Sequence, residues 1–84
     1  MSETIVRELI AKTCELPVDP ISIAADADLY AAGLTSFASV QLMLALEQAF
    51  DIEFPDRLLN RMTFASIRNI NNAVATILSD RDAA

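Results

Sequence analysis

Any chemistry in this chain centres on one junction. Gly33-Leu34-Thr35-Ser36-Phe37 lies where a stretch without period gives way to a strongly helical one. A serine at such a junction is a favoured helix cap, because its oxygen satisfies an orphan amide. It also suits a chemical role, since a helix N-terminus favours the negative charge of a phosphodiester attached at that hydroxyl. The two readings are compatible, and residue types alone do not choose between them. Gly33 gives the backbone freedom to turn just before the serine.

Other chemistries lack their residues. Acid–base catalysis near neutral pH usually recruits histidine, and the sequence has none. A cysteine nucleophile needs an activating base, and Cys14 has only Lys12 and Glu15 near it in sequence. It reads as a small buried hydrophobe. One glycine cannot build a phosphate-cradling loop. Asp19, Asp26 and Asp28 form one acidic group, and Asp51, Glu53 and Asp56 another. Neither has the dense ligand spacing of a calcium loop, so both read as solvated surface. The expectation is a protein that is not an enzyme and has no metal site.

Composition narrows the setting. At 84 residues the chain has room for a single domain over 1–84, and 54% hydrophobic residues provide a core without staples. A lone cysteine excludes an internal disulfide. A net charge of −6 repels nucleic acid, suits partners with basic docking surfaces and favours a soluble monomer. No stretch approaches the roughly 18 apolar residues needed to span a bilayer. Met1-Ser2-Glu3-Thr4 is acidic where a secretory signal would be basic, so the cytoplasm is the expected location.

The elements that must position Ser36 follow from hydrophobic spacing. Ile5, Val6, Leu9, Ile10 and Thr13 share one face of a helix over about Glu3–Glu15, capped by Ser2 or Thr4 and stopped by Pro17. From Pro17 to Thr35 no period holds. Val18, Ile21, Ile23, Leu29 and Tyr30 read as anchors pinning a long functional loop. A second helix runs from Ser36 to about Phe50, with Ser39, Leu42, Met43, Leu46 and Phe50 toward the core. Phe37, Gln41, Leu44 and Gln48 fall on the opposite stripe, so two large apolar residues face solvent with no charge between them. One short helix is expected over Asp56–Arg61. Thr63 then caps a last helix carrying Phe64, Ile67, Ile70, Val74, Ile77 and Leu78, and the tail, about 79–84, frays. The fold class is all-α: a small bundle of three main antiparallel helices and one short helix, with a long loop between the first two.

With these elements laid out, the chain resembles the acyl carrier and peptidyl carrier protein family from about Ile5 to Ile77. The strongest stretches are Asp28-Leu29-Tyr30, Gly33-Leu34-Thr35-Ser36-Phe37, and Leu42 through Asp56, above all Leu-Glu-Gln-Ala-Phe-Asp-Ile-Glu-Phe-Pro. The resemblance implies a 4'-phosphopantetheine arm, transferred from coenzyme A to Ser36 by a phosphopantetheinyl transferase, with cargo held on its thiol as a thioester. Ser39 is the competing hydroxyl, but helical projection puts it in the middle of the core face.

The sequence departs from the family pattern in its charges. The usual Asp-Ser-Leu reads Thr35-Ser36-Phe37, and Glu47 is the only charge from Ser36 to Phe50. Arg57, Leu58, Leu59 and Arg61 replace a typically acidic stretch. The partner-docking residues implied are Thr35, Phe37, Gln41, Leu44, Gln48, Arg57, Leu58 and Arg61, although Phe37 packing back onto its own loop remains open. A fatty acid synthase partner fits this surface poorly. The chain resembles the small bacterial aminoacyl carriers charged with glycine or alanine by ATP-dependent ligases related to class II aminoacyl-tRNA synthetases, which pass cargo to a downstream acceptor enzyme. Polyketide, nonribosomal-peptide and specialised lipid carriers are the alternatives. A reading of another class is a helical interaction module without a prosthetic group, docking through Phe37, Leu44 and Leu58.

Overall fold

The amphipathic spacing of three segments becomes three helices in a computed structural model that describes residues 2–14 and 16–83. These are α1 (Ser2–Thr13), α2 (Ser36–Phe50) and α3 (Ile67–Ala83). No strand occurs among the described residues. The result is the all-α bundle expected, with its long connection between α1 and α2. Val6 and Ile10 of α1, Leu42 and Leu46 of α2, and Ile67, Ile70 and Val74 of α3 are fully buried together with Leu29 of the connection. Each such side chain contributes about 1.5–3 kcal/mol relative to an exposed one.

The ends of α1 differ from expectation. Thr4 lies within the helix rather than capping it. The side chain of Ser2, the alternative cap, and Glu15, the expected last residue, lie outside the described residues. The helix ends at Thr13, whose hydroxyl donates back to the Leu9 carbonyl at 2.8 Å. Ile5, placed on the apolar face, is exposed.

The connection is held by hydrogen bonds as well as by apolar anchors. Leu29 is buried, and Ile23 and Tyr30 pack against the core, but Val18 and Ile21 are exposed. Arg7 reaches from α1 into the loop. Its Nη1 donates to the carbonyls of Pro20 at 3.1 Å, Ile21 at 3.2 Å and Ile23 at 2.6 Å. Further along, the Leu29 amide donates to the Ala65 carbonyl at 2.7 Å, and the Arg68 amide to that of Ala25 at 2.9 Å. Asp19 and Asp28 are turn formers, accepting from the amides of Ile21 and Tyr30 two residues on.

After α2, Asp51 adopts the left-handed conformation with φ 53° and closes the helix. Where one short helix was expected over Asp56–Arg61, the chain makes two 3-10 turns, Asp56–Leu58 and Met62–Phe64. Leu59, at φ −87° and ψ 71°, separates them. Thr63 does not cap α3. Its amide and hydroxyl both donate to Asn60 Oδ1, at 3.0 and 3.2 Å, which commits it to the turn. Ser66 is the cap, accepting from the Asn69 amide at 3.1 Å.

The tail is also corrected. Helix α3 continues to Ala83 rather than fraying from 79. Asp80 pairs with Arg57 at 2.9 Å, and Arg81 donates to the Asp51 carbonyl at 2.6 Å, so the last turns are tied to the α2 terminus. The side chains of Asp82 and Ala83, and all of Ala84, lie outside the described residues.

Candidate functional site

The capping question at the head of α2 resolves onto the neighbour of the serine. Thr35 is the N-cap: its backbone is extended, at φ −96° and ψ 163°, and its Oγ1 accepts from the Ala38 amide at 3.0 Å. Ser36 is therefore the first helical residue, relieved of capping. It is exposed, and its hydroxyl has no hydrogen-bond partner among the described residues. The approach is pinned from behind. Leu34 is buried, with its amide donating to the Leu29 carbonyl at 2.9 Å. Gly33 turns the chain at φ +119°, and a Cβ there would stand 3.1 Å from Pro17 Cδ.

Ser39 is not in the middle of the core face. It is half-buried, and its hydroxyl donates to the Ser36 carbonyl at 2.7 Å. The buried positions of α2 are Leu42 and Leu46 alone, while Met43 and Phe50 are half-buried. Both serines line a cleft of about 400 Å³, whose other walls include Tyr30, Met43, Arg61 and Phe64. A larger concavity of about 550 Å³ lies at the other end of α2, among Asp51, Glu53, Arg57, Asp80 and Arg81. A 15-residue helix puts it about 20 Å away from the serine. Its Arg57 and Asp80 already pair with each other.

The outer face of α2 carries no charge. Phe37 is 74% exposed and Leu44 50%, and Gln41 and Gln48 are exposed beside them. Phe37 thus faces solvent rather than folding onto its loop. Val40, 52% exposed, joins them. Sequence spacing could have found it, since it lies one turn from both Phe37 and Leu44. Glu47, the single charged residue of α2, is turned to structural use: its Oε2 accepts from the Phe54 amide at 2.9 Å.

Of the other residues expected to dock, Arg57 and Leu58 do not join this face, whereas Arg61 lines a cleft with Val40. Arg57 pairs with Asp80. Leu58 is half-buried and packs against the core, a correction to its reading as exposed surface. Leu59 and Met62 are the exposed apolar side chains of that segment. The Arg61 guanidinium carbon sits 3.8 Å from the Tyr30 ring centroid. Cys14 is buried, and burial raises its thiol pKa above the ordinary 9.0, against the opposing contact with Thr13. Among the described residues no cluster of three or more histidine, cysteine or acidic side chains could hold a metal, and no helix is long and apolar enough to cross a membrane.

Comparison with known proteins finds similar chains and one matching family. The family model described as a phosphopantetheine attachment site matches residues 4–75. An aminoacyl carrier protein of Agrobacterium fabrum (strain C58 / ATCC 33970) is 61% identical over 79 residues, 94% of this chain and 95% of that one. The chain also superposes, with a TM-score of 0.88 and 58% identity, on the Agrobacterium tumefaciens carrier protein crystallised with an engineered Bradyrhizobium japonicum glycine:[carrier protein] ligase and ATP. That match covers 92% of this chain and 100% of the other. A solution structure of an Agrobacterium tumefaciens protein gives 0.75 at 58% identity, covering 98% and 99%.

Proposed function

The chain belongs to the phosphopantetheine attachment-site family, and we propose that it carries an amino acid, glycine or alanine, as a thioester on an arm attached to Ser36. The observation that carries this reading is the free, exposed hydroxyl of Ser36 at the first position of α2, beside a cleft. The residues present fit the group. The hydroxyl is not engaged in capping, the helix terminus favours the phosphodiester charge, and Thr35 keeps that terminus intact. Ser39, with its hydroxyl committed to the Ser36 carbonyl, is the poorer acceptor.

Division of labour explains a carrier without catalytic side chains. The arm, when attached, supplies the thiol that holds the cargo, and the chain supplies the address that partner enzymes read. Identity to an aminoacyl carrier and likeness to a carrier seen with a glycine:carrier protein ligase support the cargo class. The partners are then a phosphopantetheinyl transferase, an ATP-dependent loading ligase and a downstream acceptor. Their use of coenzyme A and ATP supports a cytoplasmic location, and the one shared core of the three helices supports action as a single domain.

The uncharged face of α2 is the docking surface in this reading. Phe37, Val40 and Leu44, with Gln41 and Gln48, meet the ligase by apolar burial rather than by the ion pairs of an acidic helix. Full burial of each large side chain contributes about 1.5–3 kcal/mol.

Incubation with coenzyme A and a broad-specificity transferase adds one arm by intact-protein mass, and Ser36→Ala abolishes the gain. Ligase, ATP and glycine or alanine then add an aminoacyl mass that hydroxylamine removes. A gain that survives Ser36→Ala, or no gain in the parent protein, defeats the assignment. Loading with a fatty acyl or malonyl group in preference to an amino acid defeats the cargo.

A further inference from the structure

We propose that Arg61 is a positioning residue for the arm: its guanidinium, held over Tyr30, pairs with the phosphodiester at Ser36 and holds the first part of the arm in the cleft. This rests on Ser36 being the attachment point. Ser36 and Arg61 line the same cleft, one from the start of α2 and the other from the link between the two 3-10 turns. Arg61 is the only cation among that cleft's lining residues.

Its engagements leave it available. Of the six lysines and arginines, Arg7, Arg57 and Arg68 have carboxylates within 4 Å, and Arg81 donates to the Asp51 carbonyl. Arg61 has no carboxylate that close among the described residues, and its observed partner is the face of an aromatic ring. A cation–π contact uses the guanidinium plane and leaves the N–H edges free. Those edges match phosphate oxygens in a two-pronged geometry. The ring also fixes the group before the anion arrives, which lowers the ordering cost.

Charge balance adds to the case. The chain carries a net −6, and a phosphodiester adds to it at a helix with no cation of its own. The helix terminus offers partial positive charge, and Arg61 offers the nearest full one in the cleft.

The test compares apo and holo protein, with one arm confirmed by intact mass. In the parent, attachment shifts the Arg61 Nε–Hε resonance and the amides of Asn60 and Arg61, as well as those of residues 36–39. In Arg61→Ala the shifts at 60 and 61 are lost while those at 36–39 persist. The phosphorus resonance also moves toward that of a free phosphodiester and loses its dependence on added salt, and Arg61→Lys restores the salt dependence in part. An Arg61 side-chain resonance identical in apo and holo parent protein overturns the proposal, as does a phosphorus resonance unchanged by Arg61→Ala. Should Arg61→Ala not fold, the apo–holo comparison and salt titration of the parent decide alone. Failure of the Ser36 assignment reads differently, as absence of the mass gain or its survival in Ser36→Ala.

Discussion

Arg7 offers a sharp test of how the long connection is held, because its main contacts are tertiary. Arg7→Met keeps the aliphatic stem and deletes the guanidinium. Three carbonyls, of Pro20, Ile21 and Ile23, lose their donor. Nη1 carries two hydrogens, so the three contacts share them and do not add. The 2.6 Å bond to Ile23 is partly buried and charge-assisted, which makes it worth about 1.5–3 kcal/mol. The bond to Ile21 is exposed, so water replaces much of it. The Glu3 pair adds a few tenths, since that carboxylate is half in solvent. The expected loss is about 2–4 kcal/mol against a total stability of about 4–13 kcal/mol for a chain of this length. With an m-value of about 1 kcal/mol/M in urea, the midpoint falls by about 2–4 M at unchanged m.

Arg68→Met is the matched control. Its side chain is 60% exposed and stands 3.9 Å from Asp26, while its bond to Ala25 uses the backbone amide that the substitution keeps. Its cost is about 0–1 kcal/mol. Hydrogen exchange localises the Arg7 effect, with faster exchange at Ser22, Ile23 and Leu29 than in the control. Equal midpoints for the two variants refute the assignment of Arg7 as the loop's anchor.

Three further outcomes follow from the same geometry. Gly33→Ala forces a side chain into φ +119° and against Pro17, and thermal unfolding shows a loss of about 1–3 kcal/mol. Thr35→Ala removes the cap of α2 and costs about 0.5–2 kcal/mol by urea titration, while intact mass still records arm attachment at Ser36. For Cys14, folding favours the neutral thiol, because burial raises its pKa above the ordinary 9.0. Its contribution to stability is complete below that ordinary value and is lost as pH rises through the higher folded value. Urea midpoints followed from pH 8 to 10.5 fall more in the parent than in Cys14→Ala, and a thiol reagent at neutral pH labels Cys14 only after unfolding.

Much of the architecture was legible because it depends on local periodicity. Apolar spacing located all three helices, and turn chemistry with a long aperiodic stretch located the connection. The junction that places Ser36 at the head of α2 was legible too, since a helix start after a glycine turn is written in neighbouring residues. The departures from local expectation share a cause. The residue type of Thr63 suits a cap, but Asn60, three residues earlier, takes both its donors. Terminal turns lack local support and so suggest a frayed tail, whereas Arg57 and Arg81 supply support from a distance. Leu58 turns inward unannounced because a short element has too few residues to define a face.

What the sequence by itself determined is the set of helices, the uncharged outer stripe of α2 and a serine at its head. Those follow from spacing along a rod of 3.6 residues per turn, which needs no knowledge of neighbours. The tertiary structure alone decided which hydroxyl caps and which stays free, how Arg7 crosses to the loop, and that Arg61 and Ser36 share a cleft. Each of these joins side chains to groups whose nearness only packing creates, and an orphan carbonyl or a ring face recruits whatever donor the packed core brings within reach.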